Sequence, residues 1–539
     1  PHSRKVTSAY RLLSPPHLLK QAVMFDHNEL SMAFYHELLY IMGLEEVMVD
    51  NIARIVRCKP SHRQPHSLLE ETIRLFDERG TLMSNEEKEE AALGLVMTWV
   101  NRLLFLKLLE AQLIGFGQKE KFLTPSRIPD YSTLHDLFFQ VLGHPVEERI
   151  ADIRGCFDDV PYLNSNLFEF APHESCNFRI RELRKGKMKV FKGTRLHDDE
   201  RRKASYELPT LEYLLRFLDA YDFSGNPKSD DDADDDAKTI IDAAVLGIIF
   251  EKINGYKDGA FFTPSYLSEF MCREVIQRTV VDKFNEAYKE EGLHFEDYQD
   301  LKERLAVNQA TRARSNEIIN SIHICDPSVG SGHFLVSALN ELLFVKSDLR
   351  CLEYIDEPGR RIKEYGFEIR DDELIVRDAE GIVNKYNPRD LESHQLQKTL
   401  FEEKRMLIEN CLFGADINPK SAEICRLRLW IELLKNAYYE NGRLQTLPNI
   451  DINIKCGNSL ISKYPVRVGT GILNPEMLKN FAEYRQLVQD FKDCNDKQQK
   501  YLMHRRIDEM TQSEMVLDAV YRCFFPLKEQ NSLIHSVVD

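Results

Sequence analysis

The sequence has no Cys-x-x-Cys pair and no paired histidine spacing, although it contains 11 cysteines and 16 histidines. A zinc site or a disulfide framework is built from such pairs, so neither is expected, and singly scattered thiols fit a reducing cytoplasm. It also has no long uninterrupted apolar run. The longest, from Ala91 to Ile114, is broken by Asn101, Arg102, Lys107 and Glu110, which predicts a buried amphipathic helix rather than a membrane span. Positive charge is in deficit: 71 basic against 87 acidic side chains leave a net charge of −16. That excludes a protein whose whole surface tracks a phosphate backbone, so any nucleic-acid contact must be local. No tandem repeat and no signal sequence is visible. The chain begins at Pro1 without Met and ends straight after the apolar-rich Ser532-Leu533-Ile534-His535-Ser536-Val537-Val538, which suggests a piece of something longer.

What is present is the mix of a globular protein, 43% hydrophobic and 29% charged, in a length of 539 residues that calls for two or three folding units. Residues 1–223 are dominated by helical periodicity, as around Trp99, Leu103, Leu106 and Leu109, and predict a mostly helical domain. Near its end Arg184, Lys185, Lys187, Lys189, Lys192 and Arg195 alternate with Met188, Val190 and Phe191 about Gly186 and Gly193, like a basic β-hairpin that is either solvated or a phosphate-contacting edge. Residues 224–238 carry Asp230, Asp231, Asp232, Asp234, Asp235 and Asp236. This self-repelling stretch reads as a linker, because it lacks the glycine and distal glutamate of a calcium-binding loop. Residues 239–465 alternate short strands with helices, the pattern of an α/β parallel sheet, and residues 466–539 return to helical spacing through Met477, Phe481, Tyr484, Val488 and Phe491.

Four turns in the α/β region carry the chemistry. The strand Ile322-His323-Ile324-Cys325 runs into Asp326-Pro327-Ser328-Val329-Gly330-Ser331-Gly332 and then the helical residues from Phe334 to Leu339. Glycines between strand and helix let the backbone approach a ligand, and the helix N-terminus favours the ligand's negative end. The spacing is not the dinucleotide fingerprint, and any packed sheet has such joins. A second strand, Leu412-Phe413-Gly414-Ala415, ends at Asp416, where a carboxylate can accept both hydroxyls of a ribose. The alternative role, helix N-cap, suits Asn418 ahead of Pro419 better. In a third strand Ile450, Ile452, Ile454 and Cys456 alternate before Gly457-Asn458-Ser459-Leu460; Asn458 can meet an adenine edge or simply end a strand. Upstream, Gly259-Ala260-Phe261-Phe262-Thr263-Pro264 precedes a helix from about Ser265 to Gln277, which Thr263 can cap and whose first amides can hold a carboxylate. Three of the four turns fall at the carboxyl ends of successive strands, so together they describe one crevice.

In this order, Phe262-Thr263-Pro264, Asp326 to Gly332, Gly414-Ala415-Asp416-Ile417-Asn418-Pro419 and Cys456 to Leu460 resemble motifs X, I, II and III of amino-methyltransferases. The resemblance is especially close to the type IIG restriction and modification enzymes, with motif X ahead of motif I as in the gamma-type arrangement. It covers about Ile240 to Ser462, and the segments Leu246 to Glu251 and Trp99 to Phe105 look like the helical connector of those enzymes. The resemblance implies a Rossmann-like methyltransferase core using S-adenosyl-L-methionine, a flipped adenine in double-stranded DNA as acceptor, and a cytoplasmic role in restriction and modification. Carried over by position, Phe262, Thr263 and Pro264 line the methionine end and Asp326, Ser328, Gly330 and Gly332 wrap the cofactor's middle. Asp416 takes the ribose, Ile417 stacks on the adenine and Asn458 lies near its amine. Pro327, Ser331, Phe334, Asn418 and Ser459 complete the cofactor-binding positions.

The sequence departs from the family in one respect: it has no Asn-Pro-Pro-aromatic motif to hold the target amine and stack on the extruded base. Asn226-Pro227, Asn418-Pro419 and Asn474-Pro475 are followed by Lys or Glu, and Pro15-Pro16 follows Ser14. The motif and a target-recognition domain are therefore expected beyond Asp539, and no catalytic residue is assigned. For a nuclease, Glu402-Glu403-Lys404 has the acids and lysine but sits in a helical stretch. The long segment between motifs I and II predicts an inserted hairpin at Glu368-Ile369-Arg370 and Leu374-Ile375-Val376. The other readings are a catalytically silent binding or scaffolding subunit and a methyltransferase acting on RNA or on protein amides.

Overall fold

The structure is a computed structural model. It describes residues 31–512 apart from 50–51, 119, 150–154, 164–165, 169, 171, 197–205, 224–240, 242–244, 248, 250–251, 253–262, 264, 306–308, 363–364, 371–372, 441–442, 446–452, 460–474 and 495–496. The acidic stretch thus lies outside the described residues. Its flanks do not: the Ile241 amide donates to the Asp222 carbonyl at 2.7 Å, so the chain leaves and re-enters at the same place.

The first region is mostly helical. It comprises α1 (Met32–Met42), α2 (Leu68–Glu78), α3 (Asn85–Gly115), α4 (Tyr131–Asp136), the short α5 (Pro172–Cys176) and α6 (Thr210–Asp219). Ser84 starts α3 with a reciprocal capping box, its hydroxyl accepting the Glu87 amide while Glu87 accepts the Ser84 amide. The predicted amphipathic helix is corrected on one point: α3 has no polar solvent face along Ala91 to Ile114. Its charges lie inside and are paired, which is how an interior tolerates them. Arg102 grips Glu174 of α5 through two bonds of 2.7 and 2.8 Å, Trp99 Nε1 donates to the same carboxylate at 2.9 Å, and Lys107 bonds Glu110 at 2.6 Å. By length and composition α3 could cross a membrane, but the apolar window that qualifies it is 89% buried within the fold.

Two hairpin-like pairs accompany these helices. The strands β1 (Leu44–Val49) and β2 (Ile52–Arg57) form an antiparallel pair that helical periodicity did not announce. The basic segment is extended, as predicted, but it does not fold back on itself. Its strand β3 (Lys187–Lys189) pairs antiparallel with β4 (Glu207–Pro209), Met188 buried and both lysines outward, so the partner comes from beyond residue 205.

The second region is α/β. Helices α7 (Ser265–Ala287), α8 (Tyr298–Arg304) and α9 (Gln309–Asn320) lead to β5 (Ile324–Asp326) and α10 (His333–Asp348). The predicted inserted hairpin follows as β6 (Gly366–Arg370) and β7 (Glu373–Arg377), antiparallel with Arg370 opposite Glu373. Then come α11 (Leu391–Cys411), β8 (Leu412–Asp416), α12 (Pro419–Leu434), the small pair β9 (Tyr439–Glu440) and β10 (Arg443–Leu444), and β11 (Ile454–Cys456). Among the described residues β11, β8 and β5 form one parallel sheet in that order, with Cys456 opposite Asp416 and Asp326 opposite Gly414. Helices α13 (Pro475–Asp493) and α14 (Lys497–Gln512) pack on each other, the helical hairpin that the spacing predicts. Glu402-Glu403-Lys404 lies in α11, where Glu403 pairs with the buried Lys346 and Lys404 reaches Glu432, a structural use of all the charge available there.

Candidate functional site

The parallel register brings three strand ends to one level, because Asp416 of central β8 lies between the turns leaving β5 and β11. The turn after β5 folds back over β8: the Val329 amide donates to the Ala415 carbonyl at 2.9 Å. Val329 rests on Gly414, where an added Cβ would stand 2.9 Å from a Val329 methyl, so Gly414 is a glycine for packing. Gly332 is one for the same reason and by conformation, with φ of 82° and a Cβ position 2.7 Å from Cys425 Sγ of α12. Gly330 is different. Its φ is 52°, yet nothing lies within 4 Å of where its Cβ would be, so the turn presents bare backbone to open space.

Asp416 ties the turns together. Its Oδ2 accepts the Gly330 amide and its Oδ1 the Asn418 amide, both at 2.8 Å, while its carbonyl accepts the Gly457 amide at 2.8 Å. The third turn closes on the first through the Ser459 hydroxyl, which donates to the Pro327 carbonyl at 2.8 Å. Asp326 Oδ1 accepts the Ser328 amide at 3.0 Å. Burial raises the Asp326 carboxyl above its ordinary value; the Ser328 amide works against that, and the nearby Asp416 charge adds to it. Two carboxylates so close make the crevice floor attractive to a cation. Ile417 projects beyond Asp416 with 68% of its surface exposed, an apolar shelf beside the carboxylates.

Of the sequence-predicted positions, Asp326, Pro327, Ser328, Gly330, Asp416, Ile417, Asn418 and Ser459 therefore come together, and Asn458 is exposed in the same turn as Ser459. Asn418 is also the N-cap of α12, its side chain accepting the Lys420 amide at 2.9 Å. Ser331 and Gly332 face inward toward α12, and Phe334 is half-buried, its carbonyl accepting a Cys272 thiol contact from α7 at 3.6 Å. Thr263 is half-buried just ahead of α7; Phe262 and Pro264 lie outside the described residues. The helix that follows runs ten residues past the predicted Gln277, to Ala287, since no glycine or proline interrupts it.

Sequence reasoning missed the support behind the turn. Arg428 of α12, buried, approaches the Ser331 hydroxyl and the His333 Nδ1 at 3.4 Å, and Gly247 packs on its guanidinium, where an added Cβ would stand 2.8 Å away. Burial, with the Arg428 charge behind it, pushes His333 down to about 3, so the imidazole is neutral and can accept from the guanidinium. The signal was a charge four residues after Ile424 in an otherwise apolar stripe. Asn453 was missed as well: buried, it donates to the Ile408, Glu409 and Leu412 carbonyls at 2.8 to 3.0 Å, clamping the start of β11 to the entrance of β8.

Fold and site together define an α/β unit with a three-loop crevice at the carboxyl ends of parallel strands, the position at which such sheets take ligands. Residues 27–241, ahead of it, match the model of a domain of unknown function (DUF7814). The chain is 27% identical over 393 residues to a protein of Methanocaldococcus jannaschii that carries the provisional name of type II restriction enzyme and methyltransferase. That match takes in 67% of this chain but 27% of the relative, so the chain spans about a quarter of the relative's length. Among solved structures, the type IIL restriction-modification enzyme MmeI in complex with DNA aligns with 73% of this chain and 40% of its own, at 16% identity and a TM-score of 0.35, too low to establish a shared fold.

Proposed function

We propose that the crevice binds S-adenosyl-L-methionine and that the chain is the cofactor-holding part of a site-specific DNA adenine-N6 methyltransferase in a restriction and modification protein. The observation that carries the reading is the open backbone at Gly330, held on Asp416 between an exposed apolar shelf and the turn of Asn458. The motif order and the relative's name support the methyltransferase assignment. The residues suit the cofactor. Asp416 keeps acceptor capacity after taking two amides, since each carboxylate oxygen has a second lone pair for a ribose hydroxyl. Ile417 offers a surface for an adenine ring, and the paired carboxylates of Asp326 and Asp416 favour a positive charge. The bound cofactor supplies an electrophilic methyl group for attack by the amine of a base turned out of DNA. This chain's residues bind, orient and exclude water; the Asn-Pro-Pro-aromatic set that would hold the base is not among its 539 residues. By itself the chain is expected to bind cofactor and to methylate nothing.

Calorimetric titration with S-adenosyl-L-methionine tests this. The native chain should give a saturable heat, Asp416→Ala at least tenfold weaker binding, and Ile417→Ala a loss of about 1–3 kcal/mol if a ring stacks there. Because Ile417 supports nothing else, its loss separates contact from collapse. No heat from any of the three would leave a scaffolding subunit as the better reading, and methyl transfer to DNA by the isolated chain would contradict the division of labour.

A further inference from the structure

The parallel sheet has a free edge, and a helix reaches past it. Among the described residues β5 pairs with β8 on one side and with no strand on the other. Cys325 is exposed, whereas the residues of central β8 are alternately buried and half-buried. Parallel sheets are covered on both faces, and a bare edge offers a row of unpaired amides and carbonyls. The helices on one face follow the order of the strands beneath them: α12 packs on β11 and β8, α10 on β8 and β5, and α7 on α10. Helix α7 therefore stands one place further out than the last strand.

The flank that α7 turns to α10 is anchored by Ser268 on Ser337 and Cys272 on Phe334. The flank it turns away is apolar and bare: Tyr266 is 74% exposed, Leu267 39%, Phe270 57%, Met271 45% and Val275 63%. At 100° per residue these five lie along one side of the helix. Large apolar side chains in a row are rarely left to water, and here they adjoin an unpaired strand.

We infer that α7 and the outer edge of β5 together seat a fourth strand parallel to β5, and that its occupant is this chain's own residues 533–538. In that segment Leu533 and Val537 fall on one face of an extended chain and Ile534 and Val538 on the other, the composition of a strand covered on both sides. Six extended residues span about 20 Å, enough to pass the three residues of β5 and reach the level of the glycine turn. A parallel strand has to be reached by a long crossover, and residues 457–532, with α13 and α14 among them, supply one from β11 at the opposite edge. The inference rests on the sheet alone and stands or falls apart from the cofactor reading.

Hydrogen–deuterium exchange with mass spectrometry on the full chain tests it. In the native chain the peptide holding Ile324, Cys325 and Asp326 should be protected. Val537→Pro, which removes a donor and bars ladder pairing, should raise its exchange and the maleimide labelling of Cys325 at least tenfold, while Val537→Ile leaves both unchanged. Phe270→Asp in α7 should produce the same rise, which keeps the test independent of any one variant's folding. Fast exchange of β5 in the native chain, or protection that Val537→Pro does not alter, overturns the proposal. Protection that vanishes on dilution overturns it too, by assigning the edge to a second copy.

Discussion

Gly330 and Gly332 lie two residues apart in one turn, both in the left-handed region, and a methyl group should fail differently at each. A non-glycine residue there costs about 1–2 kcal/mol in backbone strain. At Gly332 the methyl must also share space with Cys425 Sγ at 2.7 Å and the α12 backbone at 3.3 Å. The helix backbone cannot yield, so overpacking adds about 1–3 kcal/mol. Gly332→Ala should therefore cost about 2–5 kcal/mol. At Gly330 there is nothing within 4 Å, so Gly330→Ala should cost only the strain, about 1–2 kcal/mol. Its methyl, however, stands on the face where a ligand would approach, and affinity for S-adenosyl-L-methionine should fall at least tenfold. Urea unfolding and calorimetric titration of the two variants read both quantities. Equal destabilisation would show that Cys425 does not back the turn, and undiminished binding by Gly330→Ala would show that no ligand lies over it.

Asn453→Ala strands the carbonyls its amide serves and should cost about 2–4 kcal/mol, read by urea unfolding. In the first region Glu174→Gln leaves the Arg102 charge buried against a neutral partner, an expected loss of about 3–5 kcal/mol; replacing both residues by apolar ones should recover much of it, which a double-mutant cycle measures. His333 contributes a pH dependence. Its folded value of about 3 lies below its ordinary 6.5, so the stability it lends is complete above 6.5 and is lost as pH falls from there toward 3. The slope reaches at most about 1.4 kcal/mol per pH unit. His333→Gln should flatten that part of the native-minus-variant profile, checked by denaturation midpoints at pH 7.5 and 4.5.

The parts of the fold that were legible are those whose signal is local. β8 ended at Asp416 as alternation and glycine spacing required, and β6 paired with β7 where two short β-rich runs face a tight turn. The crevice was legible because three turns at strand ends can hardly avoid one another once the strands are parallel. What was not legible depended on distant partners. The extended basic segment found its pairing strand at Glu207–Pro209, beyond an intervening stretch, rather than in the neighbouring Phe191 and Lys192. Asp416 looked like a ligand group, and its role as the strut between Gly330 and Asn418 emerged only when the turns were close enough for their amides to reach it. Charges in α3 that spacing assigned to a polar face turned out to be interior, because Glu174 arrives from about seventy residues later to neutralise Arg102.

The same long-range packing argues against treating the helical region and the α/β region as independent modules. Helix α12 begins beside Asp416, backs Gly332 with Cys425 and the Ser331–His333 segment with Arg428, and packs its other side on α3. Phe116, just past α3, meets Tyr386 edge-on at 4.9 Å and Tyr439 at 6.4 Å, and Gly247 rests on the Arg428 guanidinium. Any shift of α12 against α3 therefore moves every support of the glycine turn at once. A boundary drawn at the acidic stretch follows composition, but the hydrogen bond between Ile241 and Asp222 closes that stretch into a loop, and the packing surface runs on beneath it. The rigidity of the crevice is thus set as much by the long buried helix of the first region as by the strands that carry the site.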